Sequence, residues 1–274
     1  MEQQIISQCQ DLTYLNWSKT RNSSGTAGSY LKAQWEINGV KTYYKLSNYD
    51  ASRGVIGHES INEIIVDRLL TLLGVDHLHY QLIHAQILVD DEPITTWLCA
   101  SKDFKKPGDS KIALDDYYQA EREKDEKPFD FCIRQGWSKF LYEMLVVDFL
   151  ILNRDRHGAN IEVLRNRQNQ TIRLAPLFDH GLSLLHGCAQ QAELERADVM
   201  EDKPVNNYIG SRSAWNNLSL IPKGQWPVFH PLQTGDKAML LAGLDQALPE
   251  AWREKIWQMI WRRWQAYESL CDQG

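Results

Sequence analysis

Two short segments of this 274-residue chain carry side chains whose types and order suit phosphoryl transfer. The first, residues 153–160, contains Asp155 and Asn160, and the second, residues 178–181, contains Asp179. Mg²⁺, which accompanies ATP, prefers oxygen ligands such as the Asn160 amide and the Asp179 carboxylate. An acceptor hydroxyl needs a carboxylate within hydrogen-bond reach to take its proton, and Asp155 is the candidate base. The spacing therefore predicts transfer of a phosphoryl group from ATP–Mg²⁺ to a hydroxyl.

The elements around these segments explain how they could meet. Residues 144–152 are mostly apolar and predict a buried helix that ends where the first polar segment begins. Residues 161–164 and 171–174 are strand-like runs on either side of a polar turn. A hairpin there would return Asp179 to the side of Asn160, so that both could bind one ion. The alternative is that the first segment is a polar loop and Asp179 a helix cap.

Small residues at 22–29 predict a phosphate-binding loop upstream. Glycines let the backbone approach phosphate oxygens, although the same composition also suits a surface turn. Residues 31–37 and 40–46 alternate in polarity around Asn38-Gly39, which predicts a hairpin directly after the loop. The loop residues expected to contact ATP are Ser24, Gly25, Thr26 and Gly28.

A lysine on the second strand of that hairpin is the candidate phosphate ligand. Lys45 points away from the face of its apolar neighbours, which is also typical of a solvated lysine. The periodic segment 59–73 predicts a buried helix that ends at Gly74, and it contains Glu59 and Glu63. A carboxylate inside such a helix needs a partner, and Lys45 is the natural one. Residues 80–89 and 94–99 predict two further strands.

The overall composition narrows the function classes. A net charge of −6 without a basic block argues against nucleic-acid binding. Five cysteines without CxxC spacing suit a reduced, cytoplasmic protein, and no signal peptide is visible. The histidines lack His-x-x-His spacing, which argues against a transition-metal enzyme.

Residues 105–128 are expected to be the most mobile region. Four tryptophans within 249–271 favour a helix docked on the protein over one lying on a membrane, and we expect no membrane association.

At this point the sequence resembles the HipA-like serine/threonine kinases, of the protein-kinase and phosphoinositide-kinase superfamily. The similarity lies in residues 23–32, 43–47, 59–74, 153–160 and 176–184, which together span most of the chain. The Asp-His-Gly at 179–181 departs from the Asp-Phe-Gly of ordinary protein kinases, and no Ala-Pro-Glu follows it.

The resemblance implies a role for particular residues and a set of partners. Lys45 would bind the phosphates, Glu63 would hold it, Asp155 would be the base, and Asn160 and Asp179 would bind Mg²⁺. Family members include toxins paired with an antitoxin, and some modify translation factors. The small N-terminal subdomain of longer members is expected to be absent or supplied by another chain. The further residues implied for the ATP site are the hinge residues Cys99, Ala100 and Ser101, together with His157 of the catalytic loop.

We therefore expect an α+β, bilobal kinase-like fold with an antiparallel β-lobe carrying one helix at 1–100 and a larger helical lobe at 101–274. The predicted activity is transfer of the γ-phosphate to a Ser or Thr hydroxyl. A lipid or small-molecule kinase, or a non-catalytic nucleotide-binding module, are the alternatives. A phosphate on the glycine loop would repel ATP and inactivate the enzyme. The autophosphorylation candidates are Ser23, Ser24, Thr26 and Ser29.

Overall fold

The computed structural model describes residues 4–18 and 30–272. Within that part of the chain, the strands of the first half are β1 (Ile5–Asp11), β2 (Lys32–Ile37), β3 (Val40–Leu46), β4 (Tyr49–Asp50), β5 (Gly54–Val55), β6 (Tyr80–Val89) and β7 (Glu92–Lys102). Five of them form one sheet in the order β1-β6-β7-β3-β2, and β4 pairs with β5 separately. Strand β1 is parallel to β6, whereas the other neighbours are antiparallel.

Two tight turns set the register of this sheet. Asn38 and Gly39 both have positive φ, at 50° and 76°, as a two-residue hairpin turn requires, so the predicted hairpin is confirmed. Asp90 and Asp91 adopt the same region, with φ of 52° and 66°. Because that turn needs only two residues, β7 begins at Glu92, two residues earlier than the sequence predicts.

Helix α1 (Glu59–Leu73) covers one face of the sheet and is buried on nearly every side. It ends as predicted at Gly74, whose φ of 76° lies in the left-handed region. Successive residues of a strand point to opposite faces, so Leu82 packs in the core shared with α1 while Ile83 packs in a second core on the other face. The sheet is therefore apolar on both faces.

The second half contains the remaining elements. Its helices are α2 (Leu114–Glu121), α3 (Pro128–Arg134), α4 (Ser138–Ile151), α5 (Gln191–Arg196), α6 (Ala214–Asn217), α7 (Asp236–Leu241) and α8 (Glu250–Asp272). Its strands are β8 (Asp109–Ala113), β9 (Asp155–Arg156), β10 (Glu162–Asn166), β11 (Thr171–Leu174) and β12 (Asn206–Asn207), and 3₁₀ turns span Gly158–Asn160 and Leu218–Leu220. The hairpin predicted after the catalytic loop is confirmed as β10 and β11, and β8 joins it as a third strand.

Regular structure occupies part of the segment expected to be most mobile. Strand β8 and helix α2 both lie in 105–128, although the segment is rich in charge. Between its charged residues, the side chains of Leu114, Tyr117 and Tyr118 are buried. Burial of these apolar side chains explains why regular structure forms here, and the mobility of the segment stays a prediction.

The C-terminal helix α8 docks onto α4, as favoured from its sequence. Within the described part of the chain, no helix is both long enough and apolar enough to span a bilayer. Spacings of three and four residues place one apolar stripe of α8 against the core. The stripe consists of Ile256, Met259, Ile260, Trp264 and Tyr267.

Candidate active site

Three charged side chains from three different elements meet at the junction of the two halves. Lys45 comes from β3, Glu63 from α1, and Asp179 from the segment after β11. The Lys45 Nζ atom lies 3.1 Å from Glu63 Oε1 and 2.5 Å from Asp179 Oδ1. The structure therefore brings together the lysine, the helix glutamate and one predicted metal ligand. Glu59, the other helix candidate, accepts hydrogen bonds from Tyr30 and Asn48 instead.

The charges of this cluster, which we call the lysine triad (Lys45, Glu63 and Asp179), compensate one another. Burial acts to lower the pKa of Lys45, but the negative charges of Asp179 and Glu63 outweigh it and hold the pKa well above its ordinary value. The Glu63 side chain is fully buried and also accepts hydrogen bonds from the backbone N–H groups of His180 and Gly181, at 2.9 and 3.0 Å. Glu63 thus fixes both the lysine and the backbone that follows Asp179.

Backbone geometry explains the residues next to Asp179. Asp179 has φ of 58°, so the chain turns sharply there. A Cβ atom at Gly181 would lie only 3.1 Å from Glu59 Cβ and 3.3 Å from both Glu63 Oε1 and Lys45 Nζ. A side chain at this position would therefore push against the triad, which is a physical reason for glycine.

Asp155, the predicted base, lies on the short strand β9. Its Oδ1 atom accepts a hydrogen bond from Asn206 Nδ2 at 3.0 Å, and its Oδ2 atom lies 3.6 Å from His157 Nε2. The Asp155 side chain is 30% exposed, so an acceptor hydroxyl can reach it. Pairing of β12 with β9 places Asn206 directly beside Asp155. The sequence alone does not connect Asn206 with Asp155, because no local pattern relates residues 51 positions apart.

A buried arginine links the backbone of Asn160 to that of Phe178, the residue before Asp179. The guanidinium of Arg156 pairs with Asp148 on α4 at 2.9 Å and is fully buried. Its Nη1 atom donates to the backbone carbonyls of Asn160, at 3.1 Å, and Phe178, at 3.0 Å. It therefore holds the catalytic loop against the residue that precedes Asp179. The sequence analysis missed this role. The usable signal was an Asp inside a predicted buried helix, followed eight residues later by an arginine.

The donor set of the site fits Mg²⁺ and ATP. Asn160 donates its Nδ2–H to the carbonyl of Asp155 at 2.8 Å, which orients its Oδ1 as the atom suited to a cation. Asp179 supplies a carboxylate that is 18% exposed. These hard oxygen atoms are the ligands that Mg²⁺ prefers, and the cation of Lys45 beside them suits phosphate oxygens.

The residues implied as the hinge occupy the strand next to Lys45. Cys99 pairs with Lys45 across β7 and β3, Ala100 pairs with Tyr44, and Ser101 follows one position later. Burial raises the pKa of the Cys99 thiol to about 12, so this thiol is not a nucleophile. The contact of these three hinge residues with adenine stays a prediction.

The glycine loop falls outside the described residues, but the chain on either side of it is held at the site. Ser18 and Lys32 form a backbone bridge. The ring of Tyr30 lies 5.5 Å from Lys45 Nζ, and its hydroxyl donates to Glu59. The predicted contacts and modification sites in this loop therefore stay predictions. They concern Ser23, Ser24, Gly25, Thr26, Gly28 and Ser29.

Comparison with known proteins identifies the fold. No protein-family model and no curated protein sequence matches the chain. Among solved structures, the Helicobacter pylori proinflammatory kinase CtkA is similar over 97% of this chain and 98% of its own, with a TM-score of 0.60 and 14% identity. The chain has a kinase-like fold. The predicted α+β, kinase-like architecture is thereby confirmed at the level of the fold.

A second solved structure is similar to this chain over only part of its own length. HipA of Shewanella oneidensis MR-1, solved with HipB and operator DNA, matches 92% of this chain and 59% of its own length. Its TM-score is 0.40 and its identity 15%. The conclusion about the fold rests on CtkA alone.

Proposed function

We propose that this protein is an ATP- and Mg²⁺-dependent kinase that transfers the γ-phosphate to a Ser or Thr hydroxyl of a protein. The observation that carries the proposal is the lysine triad, in which Lys45 contacts both Glu63 and Asp179. Phosphoryl transfer needs positioning and charge compensation more than covalent chemistry, and this arrangement supplies both. The kinase-like fold supports the same activity.

Each residue then has a defined task. Lys45 binds phosphate oxygens, and Glu63 keeps its ammonium group in place. Asp155 accepts the proton of the attacking hydroxyl, while Asn206 holds the carboxylate at 3.0 Å. Asn160 and Asp179 would hold Mg²⁺, which when bound neutralises the charge on the transferring phosphoryl group.

Several finer features belong to the proposal. One hydroxyl of the glycine loop, among those of Ser23, Ser24, Thr26 and Ser29, would be autophosphorylated, and the added charge would repel ATP. The protein substrate would be a translation factor and the chain would have an antitoxin or other small partner protein, as the family resemblance implies. The cysteines of the described chain are free thiols, which supports a cytoplasmic location.

An Asp155→Asn variant should lose phosphate transfer while it keeps its affinity for ATP–Mg²⁺. The amide keeps the shape of the carboxylate but cannot take a proton, so transfer of labelled phosphate to proteome extract should fall about 10²- to 10⁴-fold. ATP–Mg²⁺ affinity, measured by calorimetry, should stay within about twofold. Asp130→Asn is the matched control, because Asp130 lies exposed on α3 and its loss changes the net charge equally.

The same incubations test the acceptor. Wild-type protein should gain phosphate by intact mass, mapped to a peptide containing 23–29, and Asp155→Asn should gain none. Wild-type rates in Asp155→Asn would remove this residue from the mechanism. Labelling of a lipid panel but not of proteins would show a lipid kinase, and ATP binding without any transfer would show a non-catalytic module.

A further inference from the structure

Three potential metal ligands meet beside α1. One of them lies on this helix, one turn after Glu63 of the lysine triad. Asp67 lies four residues after Glu63, and its Oδ1 atom is 3.0 Å from His77 Nε2 and 3.1 Å from His79 Nδ1. The ligand atoms of all three residues lie within 4.8 Å of one another. The histidines come from the loop between α1 and β6, so only the fold brings them to Asp67.

The hydrogen bonds of His77 determine where its proton is. Its Nδ1 atom lies 2.7 Å from the carbonyl oxygen of Val75, which can only accept, so Nδ1 carries a hydrogen. In the neutral ring, Nε2 is then a bare lone pair facing the Asp67 carboxylate, with the Thr71 hydroxyl 3.4 Å away. Two acceptors at 3.0 Å need a cation between them, either a proton on the ring or a metal ion. Both side chains are only 3% exposed.

The surroundings of the cluster resemble the outer shell of a metal site. The Oδ2 atom of Asp67 accepts hydrogen bonds from Tyr80 N at 2.6 Å and Gln4 Nε2 at 3.2 Å, which leaves Oδ1 directed at the histidines. Metal-binding histidines typically donate their second N–H to a carbonyl, as His77 does to Val75. The third ligand, His79, is 75% exposed and leaves the site open to water.

We propose that Asp67 Oδ1, His77 Nε2 and His79 Nδ1 bind one zinc ion or a similar divalent transition metal. Metal–ligand distances of about 2.0–2.2 Å require only small movements from the observed separations. Two imidazoles and one carboxylate favour zinc over magnesium, and water would complete the tetrahedron.

The ion would have a structural role next to the kinase site. It would tie α1 to the start of β6, where Tyr80 begins the strand. The Tyr80 hydroxyl accepts a hydrogen bond from the backbone N–H of Asp179 at 3.3 Å. The loop is further held by backbone hydrogen bonds that join Leu78 and Asp76 to Leu177. Occupancy should therefore stiffen the junction behind the lysine triad without touching substrate.

Calorimetry with ZnCl₂ in the absence of nucleotide tests the proposal on the full chain. Wild type should bind one ion per chain, and Co²⁺ should give the visible absorption of a tetrahedral site. His79→Ala and Asp67→Asn should each weaken zinc binding about tenfold or more. His84→Ala, which removes a partly exposed histidine from β6, is the matched control and should bind like wild type.

Thermal melting provides a second readout. At the same zinc concentration, zinc should raise the melting temperature of wild type and of His84→Ala, and it should raise that of His79→Ala clearly less. Because His79 is exposed, its variant should fold even if Asp67→Asn does not. No stoichiometric zinc binding by wild type, or equal affinity in His79→Ala, would overturn the proposal. The cluster would then be a buried, hydrogen-bonded histidine–aspartate pair only.

Discussion

The two halves of the candidate site are built in opposite ways. Lys45, Glu63 and Asp179 form a largely buried cluster of full charges, held by three elements from both halves of the chain. Asp155 is 30% exposed and is held mainly through Asn206, a neutral side chain on a two-residue strand. In the proposed mechanism, the first half presents a fixed cation to phosphate, and the second half admits the substrate and accepts a proton from it.

The difference shows where the molecule places rigidity. A charge without a partner is costly in a buried environment, so each member of the lysine triad depends on the others and on correct folding. A carboxylate near solvent can lose one hydrogen bond at little cost in stability. We therefore expect changes in the triad to affect folding and catalysis together, and changes around Asp155 to affect catalysis alone.

The largest combined effect on stability and activity should follow Glu63→Gln. Loss of this buried charge removes a partner of Lys45 and weakens the hydrogen bonds from His180 and Gly181. We expect urea unfolding to show a loss of about 3 kcal/mol, and phosphate transfer to fall about 100-fold. Glu59→Gln, on the same helix, leaves the contacts of Lys45 intact and should retain most of the activity. Equal loss of activity in both variants would contradict the role of Glu63.

Two histidines, the buried His58 and the half-buried His186, should make stability depend on pH. Burial lowers the pKa of His58 to about 4, with His186 contributing, and burial lowers that of His186 to about 4 as well. The folded state then binds fewer protons than the unfolded state, whose histidines titrate near 6.5. Stability is therefore lost as the pH falls below about 6.5, and the loss grows until about pH 4.

Unfolding at pH 7 and pH 5 measures this effect. Each of the two histidines should contribute about 2 kcal/mol to the loss between these pH values. His58→Gln should remove its share of the loss, whereas His84→Gln on β6 should leave it unchanged. An identical pH dependence in wild type and His58→Gln would show that His58 does not titrate in this way.

The smallest effect should follow Asn206→Ala, in the exposed half of the site. Without the hydrogen bond to Oδ1, Asp155 loses its orientation, and kcat for phosphate transfer should fall about tenfold. ATP–Mg²⁺ affinity and urea stability should stay close to wild type, the latter within about 1 kcal/mol. Asn216→Ala, an exposed asparagine on α6, is the control. A matching drop in stability would mean that the two halves of the site are not distinct.

Local patterns predicted much of the framework around the site. The turn at Asn38-Gly39 and the left-handed Gly74 are confirmed because each depends on the backbone freedom of a few adjacent residues. Strand β1 was not predicted, since its outward residues are polar and it forms only by pairing with β6. The pairing of Lys45 with Glu63 rather than Glu59 was open from the residues alone and required the packed structure.

The sequence by itself determined which chemistry the chain could carry and which elements would carry it. Residue types and short spacings specify hard oxygen ligands, a cation on a strand and a periodic helix, because these depend on neighbours within a few positions. Only the tertiary structure brought Asn206 to Asp155, and His77 and His79 to Asp67. Those contacts depend on how separate elements pack. The free energy of packing comes from the burial of apolar surface, and the positions of the apolar residues in the sequence do not show which polar residues they bring together.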